Sequence, residues 1–120
     1  MSPEEFETFR RGLFRYFTEG PDSIEASEAL VETTVTLTRY EPESAWQLIL
    51  LTIRDVPAER NLCVLGAGPL EDFATNDEDR LSWIEAQATD SPKFRTALRG
   101  FGHLMKLSEE SNARIRRAAL

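Results

Sequence analysis

The sequence predicts an all-α fold of about six to seven helices, stacked as antiparallel hairpins in a small HEAT-like array. First, apolar residues recur at helical spacing along most of the chain. Second, prolines open successive predicted helices after short turns, which bring neighbouring helices antiparallel. Third, 120 residues are enough for one buried core, so we expect a single helical domain over residues 1–120.

The first two predicted helices occupy the N-terminal third. Residues 2–5, Ser-Pro-Glu-Glu, form a capping box with proline at the first helical position, and an aromatic stripe follows until Gly20. Residues 22–39 alternate apolar and polar residues as a strand does, but no second alternating run exists to pair with them. We therefore expect a helix there. Its predicted inner stripe is Ile24, Leu30, Val31 and Val35.

The third helix opens at Pro42 and is apolar almost all round, which is typical of the buried centre of a helical array. Trp46 belongs to this run, and we expect it in the core. Pro57 separates this helix from the next, because the residue before a proline is disfavoured in helical geometry.

Gly66 and Gly68 suggest a nucleotide-binding loop, but the chemistry does not support one. The dinucleotide fingerprint needs a third glycine where Glu71 stands, and a phosphate loop needs a following Lys-Ser or Lys-Thr. We instead expect Gly66 or Gly68 to end one helix and Pro69 to begin another.

The C-terminal half repeats this pattern of caps and prolines. Glu71 and Asp72 are expected in the first turn of a new helix, where carboxylates complement the helix dipole, and Asn76 is expected to cap the next helix. Pro92 opens a further helix, and residues 108–110 open the last one. Lys93, Arg95 and Arg99 are expected on one exposed basic face, with Arg114, Arg116 and Arg117 also facing outward.

Several segments together resemble a family of small, all-helical bacterial proteins of unknown function, over roughly residues 25–118. The most specific is Ala67-Gly68-Pro69-Leu70-Glu71-Asp72-Phe73, similar to the A-G-P-L-E-D-L of that family. The others are Tyr40-x-Pro42-x-x-Ala45-Trp46-x-Leu48-Ile49, Ile84-Glu85-Ala86-x-Ala88, Pro92-x-Phe94-Arg95-x-Ala97-Leu98-x-Gly100 and Leu107-Ser108-x-Glu110. The chain departs from the pattern at Gly100-Phe101, where the family has Val-Trp, and its last helix lacks an aromatic residue. The resemblance implies an all-helical fold and no known reaction.

Charge and cysteine content narrow the class of protein. The net charge of −7 argues against nucleic acid as a direct partner, because phosphate binding needs an excess of Lys and Arg. The charge is uneven, since residues 91–120 hold two carboxylates against seven Lys or Arg. The single cysteine, the acidic N-terminus and the short apolar runs predict a cytoplasmic protein with no disulfide, signal peptide or membrane span.

No arrangement of residues predicts catalysis. The single histidine, His103, and the single cysteine, Cys63, cannot be paired as nucleophile and base from sequence, and there is no pair of histidines to hold a metal. The densest group of carboxylates, at residues 71–72 and 77–79, lacks the spacing of a calcium loop. We therefore predict a protein that is not an enzyme and has no metal site and no cofactor.

The remaining hypothesis is a protein-binding module, most simply an acidic inhibitor or immunity-type protein. Its carboxylates would cover a basic surface on a toxin or on a nucleic-acid-handling complex. The predicted binding residues are Glu71, Asp72, Asp77, Glu78 and Asp79. The alternative is a structural or regulatory adaptor that oligomerises or docks through the basic end, using Lys93, Arg95 and Arg99.

Overall fold

Seven helices form the molecule in a computed structural model that describes residues 1–120, and no strand is present. The helices are α1 (Pro3–Glu19), α2 (Ile24–Val31, continued by a π-helical stretch Glu32–Leu37 and by Thr38–Tyr40), α3 (Pro42–Asp55), α4 (Glu59–Leu65, continued by a π-helical stretch Gly66–Leu70 and by Glu71–Asn76), α5 (Leu81–Asp90, preceded by a 3₁₀ turn Glu78–Arg80), α6 (Pro92–Leu98) and α7 (Glu109–Ala118). The predicted all-α class is confirmed.

Serine side chains begin four of these helices. The Ser2 hydroxyl accepts a hydrogen bond from the Glu5 backbone N–H at 3.1 Å, and the Glu5 carboxylate accepts one from the Ser2 N–H, so the predicted capping box is present. Ser23, Ser91 and Ser108 cap α2, α6 and α7 in the same way. Each cap satisfies a backbone N–H that has no partner inside the helix.

The second helix confirms the helical prediction for residues 22–39 but exposes most of the predicted inner stripe. Leu30 packs against the core as predicted, but Ile24, Val31 and Val35 of the predicted inner stripe are 57–78% exposed, and Ala29 faces inward. A close approach to α1 explains this, because a Cβ added to Gly12 would lie 2.5 Å from the Ala29 Cβ. Only small side chains fit between helices at that separation, so Ala29 and not a large aliphatic residue lies opposite Gly12.

The expected break at Gly66–Pro69 is wrong. Helix α4 passes through this stretch without interruption, and Gly66 has helical angles of φ −61° and ψ −43°. The wider π-helical turn accommodates Pro69, which has no N–H to donate. The glycine serves packing: a Cβ on Gly66 would overlap the carbonyl oxygen of Ala97 in α6. Reciprocally, a Cβ on Gly100 would overlap the carbonyl oxygen of Cys63.

One hydrophobic cluster runs from Leu13 in α1 to Ile115 in α7, so every helix contributes to the same core. Helix α3 supplies its centre, as predicted, through Leu48 and Ile49, which are almost fully buried. Trp46 extends the core into an aromatic group. Its ring stacks on Phe73 at a centroid distance of 4.9 Å and meets Trp83 and Phe94 edge-on.

Candidate functional site

The five predicted carboxylates lie close together in sequence but in two different environments. Glu71 and Asp72 are half-buried within continuous helix α4, so the expected free N-terminus at this point does not exist. Asp77, Glu78 and Asp79 follow the end of α4 and are all exposed. We call residues 77–79 the acidic turn.

Glu71 and Asp72 face the connection between α6 and α7 and not open solvent. Burial raises the pKa of both carboxyls above their ordinary values. The backbone of Gly102 partly offsets this effect at Glu71, and the charge of Lys106 partly offsets it at Asp72. Partial burial of charge without a salt bridge destabilises the ionised form, so these two residues are poor candidates for a freely accessible anionic surface.

The acidic turn is ordered by its own backbone. The Asp77 carboxylate accepts a hydrogen bond from the Asp79 N–H at 2.9 Å and caps the 3₁₀ turn. The expected cap, Asn76, is not used in this way: its amide donates to the Thr38 hydroxyl at 3.2 Å and to the Asp72 carbonyl at 2.7 Å. None of the three acidic-turn carboxylates belongs to a salt bridge. Their charges therefore remain available to a partner.

A buried arginine immediately after the turn ties it to the core, and the sequence did not reveal it. Arg80 is only 8% exposed and donates hydrogen bonds to the carbonyl oxygens of Thr38 and, at 3.2 Å, Phe73. Its guanidinium carbon lies 4.6 Å from the centre of the Phe73 ring, in a cation–π contact. Burial lowers its pKa, while the negative charges of Asp77 and Glu43 raise it.

The predicted basic face does not exist as a shared open surface. Lys93 and Arg95 are half-buried, and Arg99 is exposed. Each donates to a carbonyl at the C-terminal end of a helix: Lys93 to Arg54 and Arg95 to Ala88, both at 2.7 Å, and Arg99 to Ala119 at 3.2 Å. Cations in these positions satisfy terminal carbonyls and complement helix dipoles. All three residues thus have a function within the fold.

The three arginines of α7 differ in their exposure and pairing. Arg114, expected to face outward, is half-buried and pairs with Glu85 of α5, with Nε donating to a carboxylate oxygen at 3.2 Å. Arg116 and Arg117 are exposed, as predicted, and belong to no salt bridge.

Asn112 is a second residue whose importance the sequence did not reveal. Its side chain is 3% exposed, and its oxygen accepts from the Leu104 N–H at 2.8 Å. Its amide nitrogen donates to the carbonyls of Leu104, Leu107 and Ser108. This one side chain therefore fixes the connection between α6 and α7 against the core.

Cys63 and His103, the single cysteine and the single histidine, each contact a different group. The Cys63 sulfur is half-buried and lies 3.6 Å from the Thr96 carbonyl oxygen, whereas the exposed His103 lies 3.3 Å from a Glu109 carboxylate oxygen. No three His, Cys, Asp or Glu side chains are grouped as metal ligands would be. No helix is long and apolar enough to span a bilayer.

The chain was compared with curated proteins, solved structures and family models. Neither a curated protein nor a solved structure matches the chain. A family model does match, over residues 19–120, and this range includes α2 to α7 and the acidic turn. The chain therefore belongs to DUF6869, a family of unknown function.

Proposed function

We propose that this protein is a non-catalytic protein-binding module that acts in the bacterial cytoplasm as an acidic inhibitor or immunity-type protein. Its target is a basic protein surface, such as that of a toxin or a nucleic-acid-handling complex. The net charge of −7 supports this class of partner, because it attracts basic surfaces over several ångströms and accelerates association with them.

The single observation that carries the proposal is the state of the acidic turn. Its three carboxylates are exposed and free of salt bridges, yet the buried Arg80 directly after them anchors the backbone. A charged group held in place loses little conformational entropy when it binds, and a charge without an internal partner breaks no existing contact. Glu78 and Asp79, whose side chains have no internal partner, are therefore the preferred contact residues. Asp77 adds its charge beside them while its carboxylate caps the turn, and half-buried Glu71 and Asp72 lie at the margin.

The chemistry of the contact follows from these residues. Carboxylates form bidentate hydrogen bonds with arginine and charge-assisted bonds with lysine, the side chains by which proteins hold phosphate backbones. A partner that uses such residues to bind nucleic acid is thereby blocked. The acidic turn then occupies the phosphate-binding surface without any reaction.

The experiment is a comparative affinity capture from the source organism. The bait is the tagged chain, tested beside a neutralised variant, Asp77→Asn/Glu78→Gln/Asp79→Asn. Asparagine keeps the capping oxygen of residue 77, so the backbone of the turn is preserved. A second variant, Asp22→Asn/Glu59→Gln/Asp90→Asn, makes the same change in net charge at three other exposed carboxylates without salt bridges.

We expect a basic partner that the wild-type chain and the control variant retain and the acidic-turn variant loses. The partner should also elute as salt is raised, since surface ion pairs are screened at high ionic strength. A partner retained equally by all three baits at every salt concentration contradicts the proposal.

The adaptor hypothesis has weaker support from the geometry. Lys93, Arg95 and Arg99 already bond helix-terminal carbonyls of the same chain, so their use by a partner would compete with contacts that stabilise the fold.

A further inference from the structure

A cavity of about 540 Å³ opens between the end of α6, residues 101–103 and α7. Its apolar wall consists of Leu98, Phe101, Ile115, Ala119 and the exposed Leu120. Leu98 and Ile115 belong to the hydrophobic core, and Phe101 and Ala119 pack against it, so these four side chains hold the wall in the folded structure. The volume lies within the range of small-molecule sites in proteins.

The charges around this cavity oppose the charge of the whole chain. Arg99 and Arg116 line it together with His103, and no Asp or Glu does, although the protein carries a net charge of −7. The His103 Nε2 lies 3.3 Å from a Glu109 carboxylate oxygen, and Leu120, which also lines the cavity, carries the terminal carboxylate of the chain. The two guanidinium groups therefore provide a local positive potential beside an apolar wall.

We propose that this cavity binds an amphiphilic monoanion, an elongated apolar molecule that ends in one carboxylate. The apolar part would lie against Phe101, Ile115 and Ala119, and the carboxylate would meet Arg99 and Arg116. Arg116 makes no salt bridge, and Arg99 uses its Nε for the Ala119 carbonyl while its terminal nitrogens make no recorded hydrogen bond. A site with two cations and an apolar wall favours one carboxylate over a polyphosphate.

The test is a titration of the isotopically labelled protein, followed by amide NMR shifts, with octanoate as the probe. The neutral control is 1-octanol, which has the same chain length. We expect saturable shifts confined to residues 98–103 and 112–120, with octanoate binding roughly fivefold or more tightly than octanol, as one solvent-exposed ion pair provides at its upper range.

Two matched pairs of variants assign the site. Arg116→Gln removes a cation from the cavity, whereas Arg117→Gln removes its neighbour, which lies outside it. Ala119→Leu fills the cavity, whereas Ala118→Leu adds the same volume at a position that does not line it. We expect Arg116→Gln to weaken octanoate binding roughly fivefold and Ala119→Leu to abolish it, with both controls within about twofold of wild type.

Absence of saturable shifts in the wild-type protein overturns the proposal, as does equal binding of octanoate and octanol. Equal weakening by Arg116→Gln and Arg117→Gln would show that overall charge, and not this cavity, attracts the anion. Thermal unfolding of each variant confirms that the change in binding is not a loss of folded protein. The acidic turn is absent from the cavity wall, so either outcome leaves the proposed function unaffected.

Discussion

The crossing of α4 and α6 and the acidic turn differ in how strongly the fold constrains their residues. At the crossing, Gly66 and Gly100 each face a backbone carbonyl of the opposite segment with no room for a Cβ. At the acidic turn, the side chains of Glu78 and Asp79 make no hydrogen bond or salt bridge within the chain. The crossing determines how closely α4 and α6 pack, whereas the acidic turn carries charges that have no partner within the chain.

This difference indicates which residues are candidates for contact with a partner. The glycine-rich segment looks like a ligand loop in sequence, yet its geometry is explained by close helix packing. The unused charges lie a few residues further on, beside a buried arginine that stabilises the backbone. Residues that the fold does not need are the better candidates for contact with a partner.

Substitution of the crossing glycines should have the largest effect. Gly66→Ala and Gly100→Ala force a methyl group into a backbone carbonyl, so we expect a loss of about 3 kcal/mol or more in the free energy of unfolding. Gly68→Ala and Gly102→Ala are the controls, because nothing lies within 4 Å of a Cβ at either position. Gly68→Ala should even stabilise the helix, by up to about 1 kcal/mol. Urea unfolding measures all four, and equal effects at Gly66 and Gly68 would contradict the packing explanation.

Loss of the buried arginine should have the next largest effect. Arg80→Met keeps much of the apolar volume but leaves the carbonyls of Thr38 and Phe73 without their donor, and we expect a loss of about 2 kcal/mol. Arg60→Met is the matched control, since the exposed Arg60 side chain makes no hydrogen bond or salt bridge, and it should stay within about 0.5 kcal/mol of wild type. Chemical unfolding that shows the two variants to be equally stable would contradict an anchoring function for Arg80.

The pair between Glu85 and Arg114 should contribute less. Their side chains are 40% and 33% exposed, so a double-mutant cycle with Glu85→Gln and Arg114→Gln should give only a small favourable coupling at neutral pH. The hydrogen bond from Arg114 lowers the pKa of Glu85. The stabilisation is therefore present above the unfolded-state pKa and is lost as the pH falls through the lower folded-state pKa. A coupling energy that stays constant into strong acid would exclude an ionic origin.

Neutralising one carboxylate at a time should have the smallest effects on stability. The effect should differ between half-buried Glu71 and exposed Glu78. Burial raises the pKa of Glu71, so its ionised form is disfavoured in the folded state. Glu71→Gln should stabilise the protein at neutral pH, by less than about 0.5 kcal/mol, and the gain should vanish as the pH falls and Glu71 becomes protonated. Glu78→Gln at the exposed turn should leave the melting temperature unchanged both at neutral pH and at the acidic pH at which Glu71 is protonated. Destabilisation by Glu71→Gln at neutral pH would contradict the proposed burial effect.

The sequence predicted the helical class and the main helix starts because both depend on local patterns. The capping box at Ser2 and the apolar third helix are examples, and both are present. It failed at Gly66, because a glycine followed within three residues by a proline normally ends a helix. The reason for this glycine is the Ala97 carbonyl, 31 positions away in sequence. A contact of this kind leaves no periodic signal.

The candidate site was predictable to a similar extent. The exposed run Asp77-Glu78-Asp79 was expected from charge density, but the partial burial of Glu71 and Asp72 depends on the connection before α7, which folds back against them. The functions of Arg80 and Asn112 depend on carbonyl groups in distant or irregular segments. Single polar residues give no hint of such partners in a sequence.

The most direct measurement is the rate of association with the captured partner as a function of ionic strength, for the wild type and for the Asp77→Asn/Glu78→Gln/Asp79→Asn variant. We expect the wild-type rate constant to fall steeply with salt and the variant to associate roughly tenfold more slowly at low salt, with an unchanged melting temperature. Rate constants that coincide for the two proteins at every ionic strength would contradict the claim that the acidic turn is the binding surface.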